Sequence, residues 1–91
     1  MLHVRTVYDA LFSDIAGCNS DVIAVSKPTV AGLIQAADKK YGKKFGEALL
    51  DPDTAQLIPA VSVLANGRRL AIDDKLRDGD EVAFFPPVTG G

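Results

Sequence analysis

The stretch that most constrains this chain begins at Val30. Val30, Leu33, Ile34, Ala37 and Tyr41 fall at i, i+3, i+4, i+7 and i+11, the spacing of one helix with a single buried face. Thr29 suits the N-cap, Pro28 before it keeps the chain from turning helical too early, and Gly42 stands where a C′ residue belongs. A helix with one apolar face packs on one surface, and the segments on either side read as strands.

Leu2, Val4, Thr6 and Tyr8 alternate with His3, Arg5 and Val7, as in a strand with one buried face. Residues 10–16 suit a helical turn or two ahead of Gly17, and residues 17–21 are turn chemistry. The β-branched run at residues 22–25 reads as a second strand. Beyond the main helix, residues 43–50 suit a short second helix around Phe45, Ala48 and Leu49. Residues 59–65 read as a strand, Asn66-Gly67 as a hairpin turn, and residues 68–72 as a short return. Asp78-Gly79-Asp80 opens the last strand, residues 81–85. A right-handed crossover would set a later strand parallel to the first. The expected fold is therefore α+β, a β-grasp: a mixed sheet of four to five strands with one main helix on one face. Ninety-one residues are too few for two cores, so residues 1–85 form one domain and 86–91 an extended tail.

Several function classes drop out on composition. A net charge of −2 gives no case for a nucleic-acid partner, which needs a basic face. No apolar run approaches the ~20 residues of a membrane helix. Residues 1–5 run straight into the strand pattern rather than a signal sequence, so the expected location is cytoplasmic. His3 and Cys18 are the sole residues of their kinds, no metal or nucleophile motif occurs, and no bound metal or cofactor is expected. Asp51 and Asp53 read as a solvated turn. Lys39, Lys40, Lys43 and Lys44 read as a solvated helix end that complements the dipole.

What remains is the end of the sequence, "FFPPVTGG". Strand alternation sends one of Phe84 and Phe85 into the core and the other outward, without saying which. With both large, the outer face of the sheet should carry an apolar patch, a common mark of a partner surface. Pro86-Pro87 favours a stiff, extended exit, and Val88-Thr89-Gly90-Gly91 narrows to backbone alone. A carboxylate on Gly91 would enter a channel that any Cβ would block, but it is a poor electrophile until activated.

Residues 78–91, "DGDEVAFFPPVTGG", resemble the tail of MoaD-type sulfur carriers, the small subunits of molybdopterin synthase. "ALFSDIAG" after the first strand, "PTVAGLI" at the helix start and "NG" before the final strands agree. Thiamine (ThiS-type) and cysteine-synthesis carriers and small archaeal ubiquitin-like modifiers are similar in fold and Gly-Gly end. The Phe-Pro-Pro fits the MoaD type and the archaeal modifiers better. The resemblance implies a ubiquitin-like fold and a route. A MoeB-like adenylyltransferase, holding ATP and Mg²⁺, would adenylate Gly91, and sulfur transfer would make a thiocarboxylate. It implies that Gly90, Thr89, Val88, Pro87 and Pro86 insert into a MoaE-like large subunit while Phe85 anchors outside. Conjugation through Gly91 to lysines, or sulfur delivery to another pathway, uses the same activation. Residues 43–59 look longer than in a minimal carrier, "DPDTAQLIP" is slightly similar to cysteine-synthesis carriers, and Arg68-Arg69 places charge where an apolar partner-facing residue is expected.

Overall fold

Strand alternation and helical stripe close on each other in the computed structural model, which describes residues 1–86. The order is β1 (Leu2–Tyr8), α1 (Leu11–Ala16), β2 (Ser20–Val25), α2 (Val30–Tyr41), α3 (Lys44–Glu47), β3 (Ser62–Ala65), β4 (Arg68–Arg69) and β5 (Glu81–Phe85). The five strands form one sheet in the order β2-β1-β5-β3-β4. β1 runs antiparallel to β2 and parallel to β5, and β5 runs antiparallel to β3. The mixed five-stranded sheet with one main helix is the expected β-grasp.

Alternation decides which face the helix covers. Val4, Thr6 and Tyr8 of β1 are buried, as are Ile23 and Val25 of β2, Val63 of β3, and Val82 and Phe84 of β5. Val30, Leu33, Ile34 and Ala37 of α2 are buried with them. The helix starts where the sequence places it: the Thr29 side chain accepts the Gly32 N–H at 3.1 Å. At the other end the Gly42 N–H reaches the Asp38 carbonyl at 2.8 Å. The Asn66-Gly67 hairpin needs positive φ at both central residues, and they hold φ of 54° and 73°.

Five of the six aromatic rings meet in one cluster under the end of the sheet. Phe45 is its centre, with ring centroids 5.3 Å from Phe84, 5.5 Å from Tyr8, and 5.6 Å from both Phe12 and Tyr41. Its rings come from β1, α1, α2, α3 and β5, so the four-residue α3 joins both halves of the fold. All of these contacts are edge-on or tilted, the arrangements aromatic quadrupoles favour.

Several boundaries differ from the sequence reading: β4 ends at Arg69 rather than at residue 72, and α3 spans Lys44–Glu47 rather than residues 43–50. β3 begins at Ser62 rather than Pro59: Pro59 has no N–H to donate, and the Val61 N–H closes a turn on the Ile58 carbonyl at 3.1 Å. β2 begins earlier, at Ser20, because Ser20 and Asp21 still pair with Val7 and Thr6 despite their turn-like composition.

Phe84 is fully buried and Phe85 is 37% exposed. Phe84→Ala is expected to cost about 3–5 kcal/mol and Phe85→Ala about 0.5 kcal/mol or less, read by urea denaturation. Comparable losses would show that Phe85 is a core residue.

Candidate functional site

β5 is an inner strand, and this fixes how the chain leaves the sheet. Glu81–Phe84 pair with Arg5–Tyr8 of β1, and Ala83–Phe85 pair with Leu64–Ser62 of β3. A last bond from the Asp9 N–H to the Phe84 carbonyl, 3.3 Å, holds the exit. Phe84 points into the aromatic cluster, and Phe85 takes the opposite face. The half-buried Pro86 follows. Of the residues expected at the site, the structure places Phe85 and Pro86 side by side at the sheet's end. Pro87, Val88, Thr89, Gly90 and Gly91 lie outside the described residues.

The outer face carries the expected apolar strip. Val7 stands opposite Ala83, and Ala83 opposite Leu64, a row across three strands in which each side chain is half-buried. Phe85 follows on the same face, two residues beyond Ala83. The strip therefore leads to the point where the tail begins. Arg69 faces Leu64 at the margin of this row. Its guanidinium donates to the carbonyls of Pro59 and Val61, the latter at 2.8 Å, so this charge staples the preceding turn. That role was not visible in the sequence, since ten residues separate Arg69 from Pro59.

The other candidates resolve into structure. His3 is exposed, its Nδ1 3.8 Å from Asp78 Oδ1. In the acidic stretch, Asp74, Asp78 and Asp80 accept the N–H groups of Ala71, His3 and Arg77, which makes them turn-builders. Asp51 Oδ1 takes the Asp53 N–H at 2.8 Å, as a solvated turn does. Among the described residues no group of three or more His, Cys, Asp or Glu could hold a metal ion.

A polar cluster that sequence reasoning missed sits between β1, β2 and α2. Thr6 Oγ1 donates to the Tyr8 hydroxyl at 2.7 Å, and the Tyr8 and Tyr41 hydroxyls are 2.8 Å apart. The Tyr41 hydroxyl donates to Asp21 Oδ2 at 2.6 Å, which Lys40 Nζ also reaches at 2.8 Å. Lys40 is thus paired rather than merely solvated. The available clue was polar Thr6 on the buried face of β1, with Tyr8 two residues on. Donation from Lys40, then from Tyr41, holds the Asp21 carboxyl at about 2. Burial, then hydrogen bonding to Asp21 and Tyr8, raises the Tyr41 hydroxyl, and burial raises Tyr8. Both tyrosines stay neutral donors at ordinary pH, so this is a structural pin.

Comparison with known proteins places this geometry. Residues 8–91 match the model of the ThiS family. The chain belongs to the ThiS family. It is 35% identical over 88 residues to the molybdopterin synthase sulfur carrier subunit of Escherichia coli, covering 97% of this chain and 99% of that one. It is 34% identical to small archaeal modifier protein 1 of Haloferax volcanii, covering 89% of this chain and 95% of that one. A crystal structure of that modifier superposes with a TM-score of 0.82 at 27% identity, over 98% of this chain and 99% of the other. The ThiS family here is one of sulfur carriers and ubiquitin-like modifiers on a β-grasp fold, as the resemblance implied.

The depressed Asp21 carboxyl sets an acid limit. A carboxyl with a lowered folded-state value stabilises the fold in full above its ordinary value near 4, and the contribution is lost as pH falls towards 2. Thermal melts should show wild type losing stability across that window, and Asp21→Asn should be less stable at neutral pH with a shallower acid slope. Equal slopes would show that the pin does not contribute.

Proposed function

We propose that this ThiS-family chain is a sulfur carrier that serves as the small subunit of a molybdopterin synthase. The observation that carries the reading is near full-length similarity to the Escherichia coli carrier subunit, together with a family match that runs through Gly91. In the proposed route, an adenylyltransferase of ubiquitin-activating type joins AMP from ATP to the Gly91 carboxylate. It releases pyrophosphate and uses Mg²⁺ held by that enzyme. A sulfur donor then displaces AMP, which leaves a thiocarboxylate. The tail, Pro86 to Gly91, enters the synthase large subunit, and its sulfur passes to the pterin precursor. Glycine at 90 and 91 suits a narrow channel because no Cβ obstructs it. Phe85 and the strip of Val7, Ala83 and Leu64 supply apolar area for the partner to bury. The absence of a membrane-length apolar helix among the described residues is compatible with the cytoplasmic location we assign.

Similarity to the Haloferax volcanii modifier favours a second reading, conjugation of Gly91 to lysines after the same activation. Tryptic peptides from cell extracts distinguish the two, since conjugation leaves lysines carrying this tail.

Incubation with a cognate adenylyltransferase, ATP and a sulfur donor is expected to replace one oxygen by sulfur, seen in the intact mass. Unchanged mass, under conditions that convert a control carrier, overturns the proposal. Deleting Gly91 should abolish conversion and leave the melting curve unaltered. Phe85→Ala should weaken binding to the large subunit about tenfold or more with the fold intact, as for a central apolar anchor. Unchanged affinity would remove Phe85 from the interface.

A further inference from the structure

A trough on the helical side of the domain plays no part in the sulfur-carrier reading. It holds about 540 Å³ and lies between α2, α3 and the loop that follows α3. Both helices pack on the inner face of the sheet, so the trough lies across the domain from Val7, Ala83, Leu64 and Phe85. Its floor depends on a glycine. The buried Gly46 donates its N–H to Asp38 Oδ1 at 2.7 Å, and any Cβ there would come within 2.5 Å of Asp38 Oδ2. The α3 backbone therefore lies directly against the Asp38 carboxyl. The far wall is Leu50, Asp51, Pro52 and Ala55. Three backbone bonds hold it: the Asp51 N–H to the Gln56 carbonyl at 2.9 Å, and the Ala55 and Ile58 N–H groups to the Asp51 and Leu49 carbonyls, each at 2.8 Å. The trough is thus formed before anything enters it, which keeps the ordering cost of an occupant low.

Two properties of the lining select the occupant. Leu50, Pro52 and Ala55 offer apolar surface. Asp38, Glu47 and Asp51 set three carboxylates against one ammonium, that of Lys43, and none of these groups belongs to an ion pair among the described residues. Asp38 Oδ1 takes the Gly46 N–H and Asp51 Oδ1 the Asp53 N–H, so the second oxygen of each makes no hydrogen bond among the described residues. Burial above all, with the nearby Glu47 charge, pushes the Asp38 carboxyl above its ordinary value. The three acids are not grouped as metal ligands. A long side chain with an apolar stem and a cationic head matches both the wall and the rim.

We propose that this trough receives a lysine or arginine side chain presented by a partner protein. The methylenes of that side chain lie on Leu50, Pro52 and Ala55, and its cationic head meets Asp38, Glu47 and Asp51. Ion pairs at a solvent-open rim are individually weak, so a free amine gains little here. A side chain carried on an already docked surface does not bear the association cost alone, which assigns the cation to a protein. A second copy of this chain does not suit, because two-fold pairing at this face sets the carboxylates of one copy near those of the other. Since the trough and the outer sheet face lie on opposite sides, a protein held here leaves Phe85 and its strip open to another.

The test is amide NMR of the full chain titrated with a blocked Gly-Lys-Gly tripeptide. Shifts are expected at Asp38, Gly46, Glu47, Leu50, Asp51 and Ala55. The norleucine analogue, which lacks the charge, and methylammonium, which lacks the stem, should each bind more weakly. Butylammonium, the same side chain without a backbone, should bind no more tightly than the tripeptide. Glu47→Lys changes an exposed side chain and should weaken binding about fivefold or more with the melting curve unchanged. Affinity should also fall with added salt. Five results each overturn the proposal: no shifts at millimolar tripeptide; equal binding of the norleucine analogue; tighter binding of butylammonium, as at a site for a free amine; undiminished binding by Glu47→Lys; or concentration-dependent pairing of the chain with itself at the trough.

Discussion

Phe45 is the residue on which the rest of the structure leans. It touches the rings of Tyr8, Phe12, Tyr41 and Phe84, so one side chain gathers the first strand, the first short helix, the end of the main helix and the last strand. Dispersion among close-packed rings adds to the burial of large apolar area, and both terms vanish together if the centre is removed. The Leu50–Leu57 bridge and the bonds from Arg69 to Pro59 and Val61 extend this support through residues 50–61. The long segment that looked like an insertion is thereby bound into the fold.

Most of the architecture was legible because two periods wrote it. Alternation at Leu2–Tyr8 and the stripe from Val30 to Tyr41 each name their buried face directly. The Asn66-Gly67 turn sets the β3–β4 register, and Thr29 and Gly42 mark the ends of α2. Period could not tell Phe84 from Phe85, because both suit a strand and only the pairing of β5 with β1 and β3 assigns the faces. The Tyr41–Asp21–Lys40 contact was hidden for a different reason. Its members lie twenty residues apart, and a helix end rich in lysine looks the same whether or not one of them is paired. Arg69 belongs to the same class: a long side chain whose partners are backbone carbonyls leaves no pattern in a sequence.

The molecule separates its polar work into two kinds. Thr6, Tyr8, Tyr41 and Asp21 are satisfied internally, and among the described residues no buried side-chain nitrogen or oxygen lacks a partner. That arrangement fixes how α2 lies across β1 and β2. In the proposed sulfur-carrier role, the reacting carboxylate belongs to Gly91, beyond the described residues. The domain then supplies placement and recognition, and the activating enzyme supplies the chemistry. The chain's relatives include both a sulfur carrier subunit and a modifier, so one fold serves both.

The inner position of β5 has a mechanical meaning. A partner that draws the tail into a channel pulls along the axis of a strand held by a parallel ladder on one side and an antiparallel ladder on the other. Such a load is shared by the hydrogen bonds of both ladders at once, in shear, instead of opening them one after another as a pull on an edge strand would. The buried Phe84 ring adds a bolt across the load path. Phe85, the last residue of β5, is thus a mooring point: tension applied beyond it is borne without the domain behind it coming undone.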